Sequence, residues 1–200
     1  MNFFQIFKNI RDNKIFEVFV ISVILISAIT IGFRTFDEFI NPGVECEIAV
    51  ILSEDYVYSK KNNKLDKIVE RVVPSIEIVD NRWENYHNEK TSLLIADDFF
   101  ASSIVFGKGS KNVKLENLKN LKGGMKVNEL HIGKGIGSDI LEDPLNALKW
   151  FLNFNFLENN YPKAGDLISL GSLVQTYWVE KNDTIEIGIG EIGNVKVKFE

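Results

Sequence analysis

The stretch GVECEIAVIL, residues 43–52, decides how the rest of the chain is read. Glu45 and Glu47 stand two residues apart, so on an extended strand both side chains leave the same face. Residues 48–52 are apolar on both parities, the pattern of a strand covered on both sides. An ionised carboxylate buried there without a partner is costly. The two acids must therefore be protonated, joined to Arg or Lys, or gathered around a cation. No basic residue stands near them in sequence. A third acid, Glu77 in SIEIVD (residues 75–80), has Ile76 and Ile78 on the opposite face of a second short strand. Two readings fit this spacing: three glutamates around a hard divalent metal, or half-exposed strands whose acidic faces are solvated.

Working outward, the 200 residues suffice for one sizeable core with an appendage. A net charge of -5, with no basic stripe interleaved with aromatics, argues against a nucleic-acid binder. The single cysteine, Cys46, excludes an intrachain disulfide framework and fits a reducing compartment. Lying between the two glutamates but on the other face, it reads as a buried small hydrophobe.

Along the chain, residues 64–72 carry Leu65, Ile68, Val69 and Val72 at helical spacing, which predicts a helix ended by Pro74. The polar stretch 81–92, with Trp83, Tyr86 and His87, predicts a long loop able to close over a site. Residues 108–124 read as surface connection. GKGIG, residues 133–137, lacks the strand-turn-helix context of a phosphate loop and reads as a turn or irregular strand. Residues 143–154 form the clearest helix, with Asp143 to cap it, Pro144 at the first position and Leu145, Leu148, Phe151 and Leu152 on one face. A short strand in KAGDLISLGSL ends at Gly171 and Ser172. A terminal hairpin then turns at Gly193 and Asn194, with Val195, Val197 and Phe199 inward and Lys196 and Lys198 outward. His87 and His131 read as ordinary surface histidines.

Residues 1–37 differ in character. VFVISVILISAITIGF, residues 18–33, is an uninterrupted apolar run which, counted from residue 15, approaches the length of a membrane-spanning helix. Its β-branched content also fits a buried strand or core helix. Lys8, Arg11 and Lys14 would keep the N-terminus of a spanning helix on the cytoplasmic side. The segment DNKIFEVFVISVILISAITIGFRT resembles the first transmembrane helix of voltage-gated cation channel subunits. The parts that would make a channel, an Arg-rich sensor helix and a pore loop, do not follow it.

Five ordered blocks carry a broader resemblance: PGVECEIAVILSEDY, VVPSIEIVDNR, IADDFFASSIVFG, DPLNALKWFLN and KAGDLISLGSL. Together, from about residue 42 to 200, they resemble the 2-keto-4-pentenoate hydratase and 4-oxalocrotonate decarboxylase group of the fumarylacetoacetate hydrolase superfamily. The resemblance implies a mostly β (α+β) fold, a rolled mixed β-sheet with few helices, preceded here by the hydrophobic N-terminal helix. It divides the chain into a hydrophobic segment (residues 1–37, membrane helix 15–33) and a catalytic domain (residues 38–200) without the N-terminal lobe of complete relatives. It implies Mg2+ or Mn2+ held by Glu45, Glu47 and Glu77, with a small 2-oxo acid as substrate. The reaction implied is lyase chemistry of aromatic-compound breakdown: hydration of 2-hydroxypenta-2,4-dienoate, or decarboxylation of a 2-oxo dicarboxylate. Asp97 matches an aspartate of the group and becomes a candidate for proton handling, where a capping role is the alternative; Asp98 departs from the usual asparagine. Ser172 becomes a candidate for touching substrate. By the same likeness the protein is cytoplasmic and homo-oligomeric, unless residues 15–33 anchor it to a membrane. A non-catalytic, membrane-tethered binding module is the competing expectation.

Overall fold

In the computed structural model, residues 39–56, 64–154 and 161–200 are described, and those from Ile40 onward belong to one compact unit. The hydrophobic run, and with it the expected N-terminal helix and the channel resemblance, lies outside the described residues. Among the described residues, no helix is long and apolar enough to cross a membrane.

The glutamate stretch is strand β1 (Pro42–Leu52), and it lies inside a sheet. On one side it pairs with β2 (Val69–Asp80), which pairs in turn with β3 (Ala101–Phe106). On the other it pairs with β6 (Leu167–Ser172) and, at its start, with the two-residue β7 (Tyr177–Trp178). A second sheet has the order β5-β4-β8-β9, from β4 (Lys122–Val127), β5 (Leu130–Ile136), β8 (Thr184–Ile189) and β9 (Gly193–Lys198). Every pairing among these strands is antiparallel. The expected rolled, mixed sheet is therefore corrected to two antiparallel sheets. The mostly β, α+β class stands: the α-helices among the described residues are the short α1 (Leu65–Ile68), α2 (Thr91–Ala96) and α3 (Pro144–Leu152), alongside short 3-10 turns.

The core lies on the face of β1 away from the acids. Val44, Cys46, Ile48 and Val50 share a buried cluster with Met125 of β4 and with Ile185, Ile187 and Ile189, the alternate residues of β8. Burial pushes the Cys46 thiol up to about 12, with the charge of Glu47 adding to the effect, so it is an inert core residue as expected. Farther along the acidic face the character changes: Ala49, Ile51 and Val73 form a small apolar cluster with Leu167. The carboxylates on this face are confined to the end nearer β7, and Arg71, paired with Ile51, stands at the other end.

Four local expectations are corrected. Residues 69–72 are strand, not helix, because Val69, Val72 and Val73 are β-branched and find a full-length partner in β1. Pro74 lies inside β2, paired with Ile48. Its carbonyl accepts from Gly107 N at 2.9 Å, so its donorless nitrogen faces the side on which β3 has ended. The 108–124 connection is not surface: Val113, Leu115, Leu118 and Leu121 are buried, Leu115 and Leu118 on a 3-10 turn, Leu115–Asn120. GKGIG is the irregular strand the sequence suggested: it lies mostly in β5, next to a register shift at Gly133, and a Cβ on Gly135 would stand 2.0 Å from Leu173 O. The final hairpin turns at Gly190–Ile192, and Gly193 already pairs with Ile189. Asp143 caps α3 as the sequence requires, accepting from Leu145 N at 2.9 Å.

Candidate metal centre

The register of β1 and β2 builds the site. Glu45 lies directly opposite Glu77, and Glu47 opposite Ser75, so the acids share one face and adjacent positions. Carboxylate oxygens of Glu45, Glu47 and Glu77 all lie within 4.8 Å of one another. Glu47 is buried and the other two are half-buried. Among the described residues, no Lys or Arg forms an ion pair with any of the three. Like charges directly opposite on a sheet are unfavourable, and this arrangement persists where something neutralises it.

Protons do so in the absence of a cation. Burial, followed by the charges of Glu77 and Glu45, raises the Glu47 carboxyl to about 9, and its side-chain interaction with Glu77 adds to the rise. Glu77 is also raised, by burial first and then by Glu45, with Asp98 adding a smaller push. Two hydroxyls orient the set. Thr176 Oγ1 donates to Glu45 Oε1 at 2.5 Å, and Ser169 Oγ donates to Glu47 Oε2. Ser169 reaches the acid through an irregularity in β6. Glu47 pairs with Ser172 and Ala49 with Ser169, so β6 spends one more residue than β1 between these pairs. Gly171 lies in this bulge at φ 132°, a conformation that favours glycine.

The sequence candidates separate in space. Glu45, Glu47 and Glu77 converge as expected. Ser172 pairs with Glu47 along the backbone, but its hydroxyl donates to Val174 O at 2.7 Å and Cys46 O at 3.3 Å. Asp97 ends α2, where its carboxylate holds Arg82 Nη2 at 3.1 Å and Trp83 Nε1 at 3.0 Å. Its neighbour Asp98 instead lines a cavity of about 310 Å³ with Glu45 and Glu77, walled by Tyr86, Phe99, Phe100 and Trp178. The loop carrying Tyr86 thus borders the site as expected, while His87 is exposed and rests on Tyr86, ring centroids 4.0 Å apart. Sequence reasoning missed Ser169, Thr176 and Asp98. Gly171 was the one available signal for the bulge; nothing local pointed to Thr176.

The donor set fits a hard divalent cation. Three carboxylates supply oxygen ligands, and the cavity beside them leaves room for water or substrate.

Comparison with known proteins gives the same direction. The chain is 34% identical over 163 residues to 2-keto-4-pentenoate hydratase 1 of Dechloromonas aromatica, covering 80% of this chain and 61% of that protein. It is 26% identical to the 4-oxalocrotonate decarboxylase of Pseudomonas putida, with 80% and 61% covered. The chain thus spans 61% of the length of these curated relatives. The solved 4-oxalocrotonate decarboxylase from Pseudomonas putida G7, complexed with magnesium and adipate, superposes with a TM-score of 0.70 at 24% identity. That match covers 81% of this chain and 62% of that one, and establishes a shared fold. The family model for the fumarylacetoacetate (FAA) hydrolase C-terminal region matches residues 27–200. Its match begins at residue 27, within the hydrophobic run. With the acidic site, the antiparallel sheets and this match in agreement, the chain belongs to the fumarylacetoacetate hydrolase family.

Proposed function

We propose that this protein is a divalent-metal-dependent lyase of the hydratase type, acting on 2-hydroxypenta-2,4-dienoate or a closely related 2-oxo acid. Glu45, Glu47 and Glu77 hold Mg2+ or Mn2+. The observation that carries the reading is this three-carboxylate cluster, unpaired with any described cation and opening on a cavity. The names of the hydratase and decarboxylase relatives, and the magnesium in one solved neighbour, support it.

Bound there, a divalent cation supplies Lewis-acid stabilisation of the enol form of a 2-oxo acid. The chain's own residues prepare that chemistry. Glu47, whose carboxyl is raised, would have to give up its proton to serve as a ligand, so loading the site would release a proton. Ser169 and Thr176 hold Glu47 and Glu45 in their rotamers, which limits reorganisation when the cation arrives. Tyr86, Phe99, Phe100 and Trp178 give the remainder of the substrate an aromatic wall that displaces water. Asp97 holds Arg82 and Trp83 beside this wall; to take a proton it would first have to leave them. Ser172 pairs with Glu47 at the edge of the bulge, its hydroxyl donating to Val174 O.

The test is loss of the dienol's ultraviolet absorbance on adding purified full-length chain with Mg2+, with chelator, and with Glu47→Gln. Turnover that needs both the metal and Glu47 supports the lyase. Carbon dioxide release from a 2-oxo dicarboxylate, without dienol loss, assigns the decarboxylase reaction instead. Metal binding without either reaction refutes both and leaves a binding module.

A further inference from the structure

Two adjacent aspartates are treated in opposite ways. Asp97 is tied down by Arg82 and Trp83, whereas the Asp98 carboxylate, exposed at the cavity mouth, has no hydrogen bond or ion pair among the described residues. The backbone fixes this difference. Asp98, Phe99 and Phe100 are three consecutive non-glycine residues in the left-handed region, at φ 56°, 46° and 70°. Both ends of the turn are anchored: Asp97 by its ion pair, and Phe100 by burial and an edge-on contact with Tyr86 at 5.2 Å. Asp98 is thereby held toward the acids, close enough for its charge to act on Glu77.

We propose that Asp98 is a specificity-determining residue that confines the site to 2-oxo acids with an uncharged, apolar far end. This rests on the reading of Glu45, Glu47 and Glu77 as metal ligands. A 2-oxo acid that spent its own carboxylate and keto oxygens on the cation would have its remaining carbons beside the adjoining cavity, which Glu45 and Glu77 line. There it meets aromatic rings and the Asp98 carboxylate, and none of the described residues lining the cavity is Lys or Arg. A terminal methyl or vinyl group packs on the rings. A second carboxylate is placed beside a like charge with no counter-ion, an arrangement that rejects a ligand more effectively than a missing contact does.

Calorimetric titration of the full-length chain in saturating Mg2+ tests this with two acids of equal chain length, 2-oxohexanoate and 2-oxoadipate. Wild type is expected to bind the monoacid at least about tenfold more tightly, with the ratio shrinking as salt rises from about 0.05 to 0.5 M. Asp98→Asn, which keeps the shape and tolerates the left-handed backbone, should narrow the ratio to about threefold or less by a gain for the diacid. Equal binding of the two acids by wild type overturns the proposal. So does an unchanged ratio in Asp98→Asn, or one that narrows only through weaker monoacid binding. If neither acid binds in an Mg2+-dependent way, the metal-site reading falls and the proposal with it.

Discussion

Replacing Glu47 by Gln in metal-free protein is expected to stabilise the fold at neutral pH, although it alters one of the most buried polar residues in the described chain. Glu47 is 3% exposed, and its carboxyl is raised from the ordinary 4.5 to about 9. The unfolded chain ionises Glu47 from pH 4.5 upward, while the folded chain keeps it protonated until about pH 9. This group therefore leaves stability intact below pH 4.5 and erodes it steadily as pH rises toward 9. The slope is about 1.4 kcal/mol per pH unit, so at pH 7, some 2.5 units above the unfolded value, the loss is about 3 kcal/mol. Gln keeps the volume, can still accept from Ser169 and carries no charge to bury. For a chain of this size, about 3 kcal/mol corresponds to a Tm gain of about 6–12 °C. Urea unfolding of both proteins in chelator, from pH 5 to 8, would show curves converging at the acid end and separating by about 1.4 kcal/mol per unit. Parallel curves would refute the account, since they would mean that Glu47 titrates alike in folded and unfolded chains.

Adding Mg2+ or Mn2+ should close the gap and then reverse the order: wild type gains about 2.7 kcal/mol at a metal concentration 100-fold above its Kd and about 4.1 kcal/mol at 1,000-fold, while Glu47→Gln and Glu77→Gln gain little, as read by the same unfolding curves. Metal affinity should rise with pH below about 9, because Glu47 must release its proton; calorimetry in buffers of different ionisation enthalpy would count it. Gly135→Ala drives a Cβ to 2.0 Å from Leu173 O and should cost about 2–4 kcal/mol or abolish soluble expression. Asp183 accepts from Asn128 Nδ2 at 2.6 Å, Glu180 N at 2.9 Å and the Tyr177 hydroxyl at 3.2 Å. Burial alone would raise its carboxyl, but these bonds outweigh it and hold it below the ordinary aspartate range. Its contribution is thus present above the unfolded aspartate pKa and lost as pH falls through the depressed folded value. Asp183→Ala should cost about 2–3 kcal/mol at pH 7, and the gap should close in acid, in a urea series from pH 7 to 2.

The acids were legible because the strand period is short. The two-residue step from Glu45 to Glu47, with apolar residues following on both parities, leaves few arrangements, and the apolar neighbours of Glu77 gave the second strand. Helix α3 was legible through its cap and its 3.6-residue spacing. Where the reading failed, the deciding partner was distant in sequence. Residues 64–72 satisfy a helical face locally, but β1 offers a ladder that outcompetes it from Val69 onward. Ser169 and Thr176 meet Glu47 and Glu45 only because β6 bulges and the chain then returns to the start of β1. Neither event leaves a mark in the residues around the glutamates. The resemblance singled out Asp97 over its neighbour Asp98, whereas three left-handed residues and one ion pair bring Asp98 to the cavity instead.

The position of β1 also bears on how the chain is made. Its first partner, β2, follows within about thirty residues of it, whereas Ser169 and Thr176 come 122 and 131 residues after the acids they hold. At ribosomal speeds of about 5–20 residues per second, the far edge of β1 stays open for about 6–25 s after its synthesis. Through that interval a strand reading AVIL presents unpaired backbone and apolar side chains, a ready template for joining another chain. Glu45 and Glu47 lie on that same open strand, ionised and still solvated, and their charge opposes such pairing. The residues read here as metal ligands in the finished protein thus serve the nascent chain first as guards against aggregation.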